Sequence, residues 1–144
     1  MTIWHDPDVD LAQFDTIGAQ TMPGFLGIQF LDRGDDWVRA RMPVNARTHQ
    51  PYGRLHGGAS VAFAETVASM AGAMTVDRTK QLVVGQEINA NHIRPVRDGY
   101  VYATAKAEAL GRTAQVWTIR IESEDGKLVC LSRITLAVIA ADRA

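Results

Sequence analysis

Glu65 is the only charged side chain between His56 and Asp77, in a stretch otherwise built from Gly, Ala, Ser, Thr and apolar residues. A carboxylate in so apolar a segment bears a desolvation cost, and it persists where it is paired, hydrogen-bonded or used. Used, it is a general base or a nucleophile; unused, it is half of an ion pair or points into a wet crevice. Ser69 follows one helical turn later on the same face, where it either holds a water against the carboxylate or bonds back to the carbonyl of Glu65.

His56-Gly57-Gly58 opens the same run. Free backbone N–H groups and the positive end of a helix dipole at such a point stabilise developing negative charge. Gly57 lets a substrate carbonyl approach the backbone, and His56 can donate to that carbonyl or assist a leaving thiol. Taken singly, the Gly pair is a turn and His56 a loop residue. Gln50, six residues earlier, both donates and accepts without competing for a proton. On one helix the nine residues from His56 to Glu65 span about 13.5 Å along the axis and half a turn around it. One chain does not easily aim both at one carbonyl. With both positions taken as catalytic, the spacing predicts a site shared across a two-fold interface, with Gln50 and His56 of one subunit facing Glu65 of its neighbour.

Other chemistries find little support. His5, His49 and His92 are too dispersed for a metal set and there is no HExxH pattern, while Ser60 and Ser132 lack a GxSxG elbow. Cys130 is the single cysteine, which excludes an intrachain disulfide or a CxxC site and fits a reducing, cytoplasmic setting. A formal net charge of −1 with scattered Lys and Arg leaves no basic footprint for nucleic acid or an anionic membrane. The start, MTIWHDPDVD, lacks the pattern of a signal peptide, and the weakly polar stretch 57–76 reads as a core helix rather than a membrane span.

The elements that must hold these residues follow from periodicity. With 144 residues, the chain suits one domain over 1–144, in which 1–24 form an N-terminal helix and lead-in. Leu11 to Gln20 carries helical spacing at Leu11, Phe14, Ile17 and Gly18, and Thr21-Met22-Pro23-Gly24 ends it. Phe25 to Arg33 and Trp37 to Val44 read as strands, then Asn45 to Leu55 as loop, then a long helix from about Gly58 toward Val76. Four further strands are expected at Gln81 to Ile93, Tyr100 to Leu110, Thr113 to Ser123 and Lys127 to Ile139. Val101, Ala103, Ala105, Ala107 and Ala109 alternate with mostly polar neighbours, and Asp125-Gly126 marks a hairpin. The sum is an α+β fold, a curved antiparallel sheet wrapped around one long helix.

Three stretches, MPVNARTHQPYGRLHGGASVAFAETVASMAG, VVGQEINANHIR and LGRTAQVW, closely resemble the hotdog-fold thioesterases, in particular the 1,4-dihydroxy-2-naphthoyl-CoA thioesterase group and its aromatic acyl-thioesterase relatives. The likeness runs from about Ile3 to Val138. Gln50, His56, Gly57, Glu65 and Ser69 stand in that family's motif order. The resemblance implies a hotdog domain and an acyl-CoA substrate whose carbonyl is polarised by the Gly57 N–H. It implies Glu65 as nucleophile or base, no metal or redox cofactor, and shared-site dimers that assemble into a homotetramer. It further implies that CoA lies near Gly85, His92, Ile93, Arg94 and Pro95 and near Ala109, Leu110, Gly111, Arg112, Thr113 and Ala114, with Arg94 and Arg112 on phosphates. Relatives often carry His where Ala109 and Ala114 stand. Acyl groups on carrier proteins are an alternative substrate; a hotdog hydratase and a non-catalytic acyl-CoA-binding module are the competing readings.

Overall fold

The computed structural model describes residues 1–143. After a short helix α1 (Ala12–Gly18) and a single turn α2 (Met22–Phe25), strands β1 (Gln29–Arg33) and β2 (Trp37–Pro43) lead to the long helix α3 (Gly57–Met74). Strands β3 (Gln81–His92), β4 (Tyr100–Leu110), β5 (Ala114–Ser123) and β6 (Leu128–Ala140) follow. The six strands form one sheet in the order β1-β2-β4-β5-β6-β3, every neighbouring pair antiparallel. This is a single hotdog domain: α+β, with α3 laid along one face of the curved sheet.

The helix sits close because the sheet beneath it alternates, and because several inward residues are small. Val38, Ala40 and Met42 of β2, Val101, Ala103 and Ala105 of β4, and Trp117, Ile119 and Ile121 of β5 are wholly buried. They meet Phe63, Ala64, Val67, Ala68 and Ala71 of α3, also wholly buried. The β4 alternation ends at a bulge between Ala107 and Ala109, so Ala109 is exposed rather than part of the covered face. Asp125-Gly126 does form the β5–β6 turn, with Gly126 at φ 78°.

Two rows of paired residues cross the sheet and fix where the candidate residues stand along it. One runs Phe30, Ala40, Ala103, Ile121, Cys130, His92. The other runs Leu110, Gln115, Leu136, Gly85. His92 and Gly85 thus lie toward opposite ends of β3, itself a strand at the edge of the sheet.

Both ends of α3 are fastened. At its start the His56 imidazole caps the helix, Nδ1 accepting from the Gly58 N–H at 2.7 Å. At its end the Thr75 hydroxyl donates to the Gly72 carbonyl at 2.7 Å, and Gln115 Nε2 donates to that hydroxyl at 2.8 Å. Trp117 Nε1 completes the chain by donating to Gln115 Oε1 at 2.9 Å, so the buried Gln115 is satisfied. Trp4 stacks on Trp117 and donates to the Gly34 carbonyl, which pins the N-terminal segment over this end.

The N-terminal expectations need correction in two places. Phe25 to Gly27 are not strand: Pro23 sits in the first turn of α2, where its fixed φ suits a helix, and Gly27 turns the chain at φ 76° before β1. In α1 the apolar stripe is only partly covered, with Phe14 and Gly18 buried and Ile17 facing solvent. No helix among the described residues is long and apolar enough to cross a membrane.

Candidate active site

A cleft of about 360 Å³ opens at the start of α3, lined by Gln50, Leu55, Gly57, Ser60, the segment His92 to Pro95, and Val129. Six of the residues singled out in the sequence therefore converge: Gln50, Gly57, His92, Ile93, Arg94 and Pro95. The segment after β3 is held by the Val129 carbonyl, which accepts from the Ile93 N–H at 2.8 Å, while Arg94 Nη1 donates to the Leu128 carbonyl at 2.8 Å. Leu55 and Val129 were not legible as cleft walls, since nothing local marks them. Ser60, which lacks a GxSxG elbow, lines the cleft as well.

The donors in the cleft have defined directions. Gln50 Oε1 accepts from the Tyr52 N–H, which leaves its amide nitrogen to donate outward. Among the first amides of α3, Gly58 donates to the His56 ring, and Ala59 and Ser60 donate to the His56 carbonyl. The Gly57 N–H has no partner among the described residues. It is an unspent donor at the positive end of an 18-residue helix. A side chain at Gly57 would come within 2.9 Å of His92 Nε2, so the glycine lets the imidazole lie against the helix start. His56 itself turns away from this cleft and lines an adjoining cavity of about 240 Å³. Because its Nδ1 is an acceptor, the neutral ring carries its proton on Nε2.

Glu65 lies elsewhere. Its carboxylate rests against Gly85 of β3, and about 12 Å of helix axis separates it from Gly57 of the same chain. It forms no salt bridge among the described residues, so the ion-pair reading of this carboxylate finds no partner within one chain. The back-bond to a carbonyl is made by the adjacent Thr66, to Ala62 at 2.7 Å, and not by Ser69 to Glu65. The segment Ala109 to Ala114, with Arg112, forms the β4–β5 hairpin on the Gly85 row. Thr113 accepts from the Val138 N–H, whereas Arg94 is tied to Leu128 at the other end of β6. Ten strand residues put the two anchors about 33 Å apart, so one chain does not bring Arg94 and Arg112 to one ligand. The lone Cys130 is wholly buried, and burial pushes its thiol pKa up, away from nucleophilic use.

The chain thus holds its helix-start donors and the carboxylate of α3 about 12 Å of helix axis apart. The sequence profile of the Thioesterase superfamily matches residues 52–130, which include His56, Gly57, Glu65, Ser69 and both segments expected to contact CoA. The chain belongs to the thioesterase superfamily. The solved structure of a thioesterase from Pseudomonas aeruginosa superposes with a TM-score of 0.94 at 45% identity, over 96% of this chain and 99% of that one. The 1,4-dihydroxy-2-naphthoyl-CoA hydrolase of Escherichia coli is 47% identical over 91% of this chain and 96% of its own. The proofreading thioesterase EntH of Cronobacter turicensis is 50% identical over 90% of this chain and 93% of its own. This thioesterase is accordingly a hydrolase, and the non-catalytic binding module gives way to an enzyme.

Proposed function

We propose that this thioesterase hydrolyses an aromatic acyl-CoA to the free acid and CoA without a metal, at sites shared between two subunits of a cytoplasmic homodimer. The first substrate to test is 1,4-dihydroxy-2-naphthoyl-CoA, after the relative that bears its name. The observation that carries the reading is the unspent Gly57 N–H, which faces a cleft holding Gln50 and Arg94 while the only carboxylate of α3 lies beyond cis reach.

A dimer resolves that separation. β3 has twelve residues and, among the described residues, pairs only with β6 and leaves its other backbone edge open, a template for pairing with a second chain. Antiparallel pairing of β3 with its symmetry mate, with Gly85 opposite His92 of the partner subunit, would carry Glu65 to the partner's helix start. The same register would bring Arg112 of one subunit and Arg94 of the partner subunit to one mouth, where guanidinium groups grip phosphates. Gly85, expected among the CoA contacts, would then also seat the carboxylate. Pairing of such dimers into a homotetramer rests on the family resemblance, and light scattering of the purified chain measures it.

In the reaction, the Gly57 N–H and the Gln50 amide stabilise the carbonyl oxygen as it becomes an oxyanion. Either Glu65 takes a proton from water as the water oxygen bonds to the carbonyl carbon, or Glu65 adds there first and water cleaves the resulting anhydride. The C–S bond breaks, and the CoA sulfur leaves as a thiolate that takes up a proton. His56 and Ser69 align the thioester and the water. A second reading is removal of misloaded acyl groups from a carrier protein, which rests on the family resemblance and is in keeping with the proofreading in the name of EntH.

The test is thiol release from a panel of aromatic and aliphatic acyl-CoAs and acyl-loaded carrier proteins, with Glu65→Gln as control. The expectation is turnover of aromatic CoA esters that falls roughly 10²-fold or more in the folded Glu65→Gln protein. Thiol release by that variant at the wild-type rate would overturn the mechanism.

A further inference from the structure

Ser60 is only 2% exposed, yet its hydroxyl is unspent. Along α3 and its caps, His56, Thr66 and Thr75 make side-chain hydrogen bonds, and Ser60 makes none among the described residues. The bond a helical serine commonly makes, back to the carbonyl four residues earlier, would go to His56, whose carbonyl already accepts the Ala59 and Ser60 amides at 3.0 and 3.2 Å. Every side-chain oxygen or nitrogen sealed from solvent among the described residues has a partner. The Ser60 hydroxyl is therefore not sealed, and it opens on the cleft that Ser60 lines with Gln50, Gly57 and Arg94. A donor held in so confined a place without a partner calls for an explanation. We propose that Ser60 Oγ donates a hydrogen bond to the thioester sulfur as it becomes a thiolate, which makes this serine a catalytic residue for leaving-group departure. The proposal rests on the thioesterase reading above and adds to it the group that meets the charge on the departing side.

Helix geometry sets the two donors side by side. Ser60 stands three residues after Gly57, about 4.5 Å along the axis and about 60° around it. Cα–Cβ bonds in a helix tilt toward its N-terminus, so the Ser60 side chain leans back toward the Gly57 amide. The carbonyl oxygen and the sulfur of a thioester are bonded to one carbon. With the oxygen on the Gly57 N–H and the CoA arm in the cleft that holds Arg94, the sulfur comes to the side where Ser60 stands. His56 turns its ring into the adjoining cavity, away from that side. Leu55 and Val129 add apolar wall, and a low local dielectric strengthens a hydrogen bond to a charged sulfur. As the C–S bond breaks, its electron pair moves onto sulfur and the Ser60 hydroxyl donates to it while keeping its own proton. Water then protonates the thiolate as the thiol departs.

The experiment uses the full chain and two benzoyl thioesters that differ in the thiol, N-acetylcysteamine in one and thiophenol in the other. The aryl thiolate is the more stable and needs little help to leave. Ser60→Ala is expected to lower kcat/KM for the N-acetylcysteamine ester about 10- to 100-fold, the effect of a hydrogen bond to a charged group, and hardly to change it for the phenyl ester. The ratio of the two values is read within each sample, so it does not depend on how much of a variant is folded. Ser60→Thr keeps a hydroxyl and is expected to keep the wild-type ratio. A Ser60→Ala ratio equal to that of wild type, whether both esters slow alike or neither slows, overturns the proposal and leaves the hydrolytic reading in place. So does a Ser60→Thr ratio that matches the alanine variant. A wild-type protein that releases thiol from no thioester overturns the hydrolytic reading, and the role of Ser60 with it.

Discussion

The carboxylate of Glu65 lies so close over Gly85 that a single methyl group at residue 85 would collide with Oε1. The helix and the edge strand β3 thus set this carboxylate between them, beside the register shift that separates Gly85 from Glu87. Bulges commonly re-aim side chains next to active sites.

Gly85→Ala is expected to push the carboxylate aside rather than unfold the chain, because the colliding atom is the tip of a flexible side chain at an exposed edge. A displacement of about 1 Å at a reacting group can cost up to about 10²-fold in rate, so kcat should fall by about 10- to 100-fold. Thermal stability should hardly move. Steady-state kinetics beside a melting curve separates the two, and an unchanged kcat would show that Glu65 has room to spare.

His56 has two duties that substitution can part. His56→Ala removes both the helix cap and the Nε2 donor, and should cost about 1 kcal/mol of stability together with most of the activity. His56→Asn can keep the cap, since Asn is among the best residues at that position, while losing the imidazole. Denaturant melts of the Asn variant should match wild type within a few tenths of a kcal/mol. Its turnover should stay low, and full activity would reduce His56 to a cap.

How much of this was readable in advance depends on range. The strands after α3 and the Asp125-Gly126 turn were legible because alternation and turn chemistry are local. The single turn α2 was not, since Phe25 begins an apolar run that reads as strand until Pro23 and Gly27 are given their conformations. The cap at His56 was missed because histidine is not a usual capping residue. The motif order pointed to Gln50, Gly57 and Glu65. That Gln50 and Gly57 share a cleft while Glu65 sits with Gly85 follows from non-local pairings, His92 with Cys130 and Gly85 with Leu136, which no periodicity carries.

Gly72 gives a test of the packing under α3. A methyl there would come within 2.6 Å of Leu136 Cδ1, 2.9 Å of Val83 Cγ1 and 3.0 Å of Gln115 Oε1. Gly72→Ala gains about 1 kcal/mol of helix propensity. Overpacking costs about 1–3 kcal/mol and strains the Gln115 anchor, so the net change should be a loss, seen as a lowered Tm. A raised Tm would mean that Leu136 and Val83 swing aside freely.

The shared site itself is tested most directly by complementation. His56→Ala and Glu65→Gln chains, each inactive alone, are mixed in equal amounts under conditions that exchange subunits, and thiol release from the best acyl-CoA is measured. A heterodimer then holds one doubly defective site and one intact site, so random pairing should restore activity to about a quarter of wild type. Subunit exchange verified by mass, with no recovery of activity, would contradict the account and return His56 and Glu65 to a site within one chain.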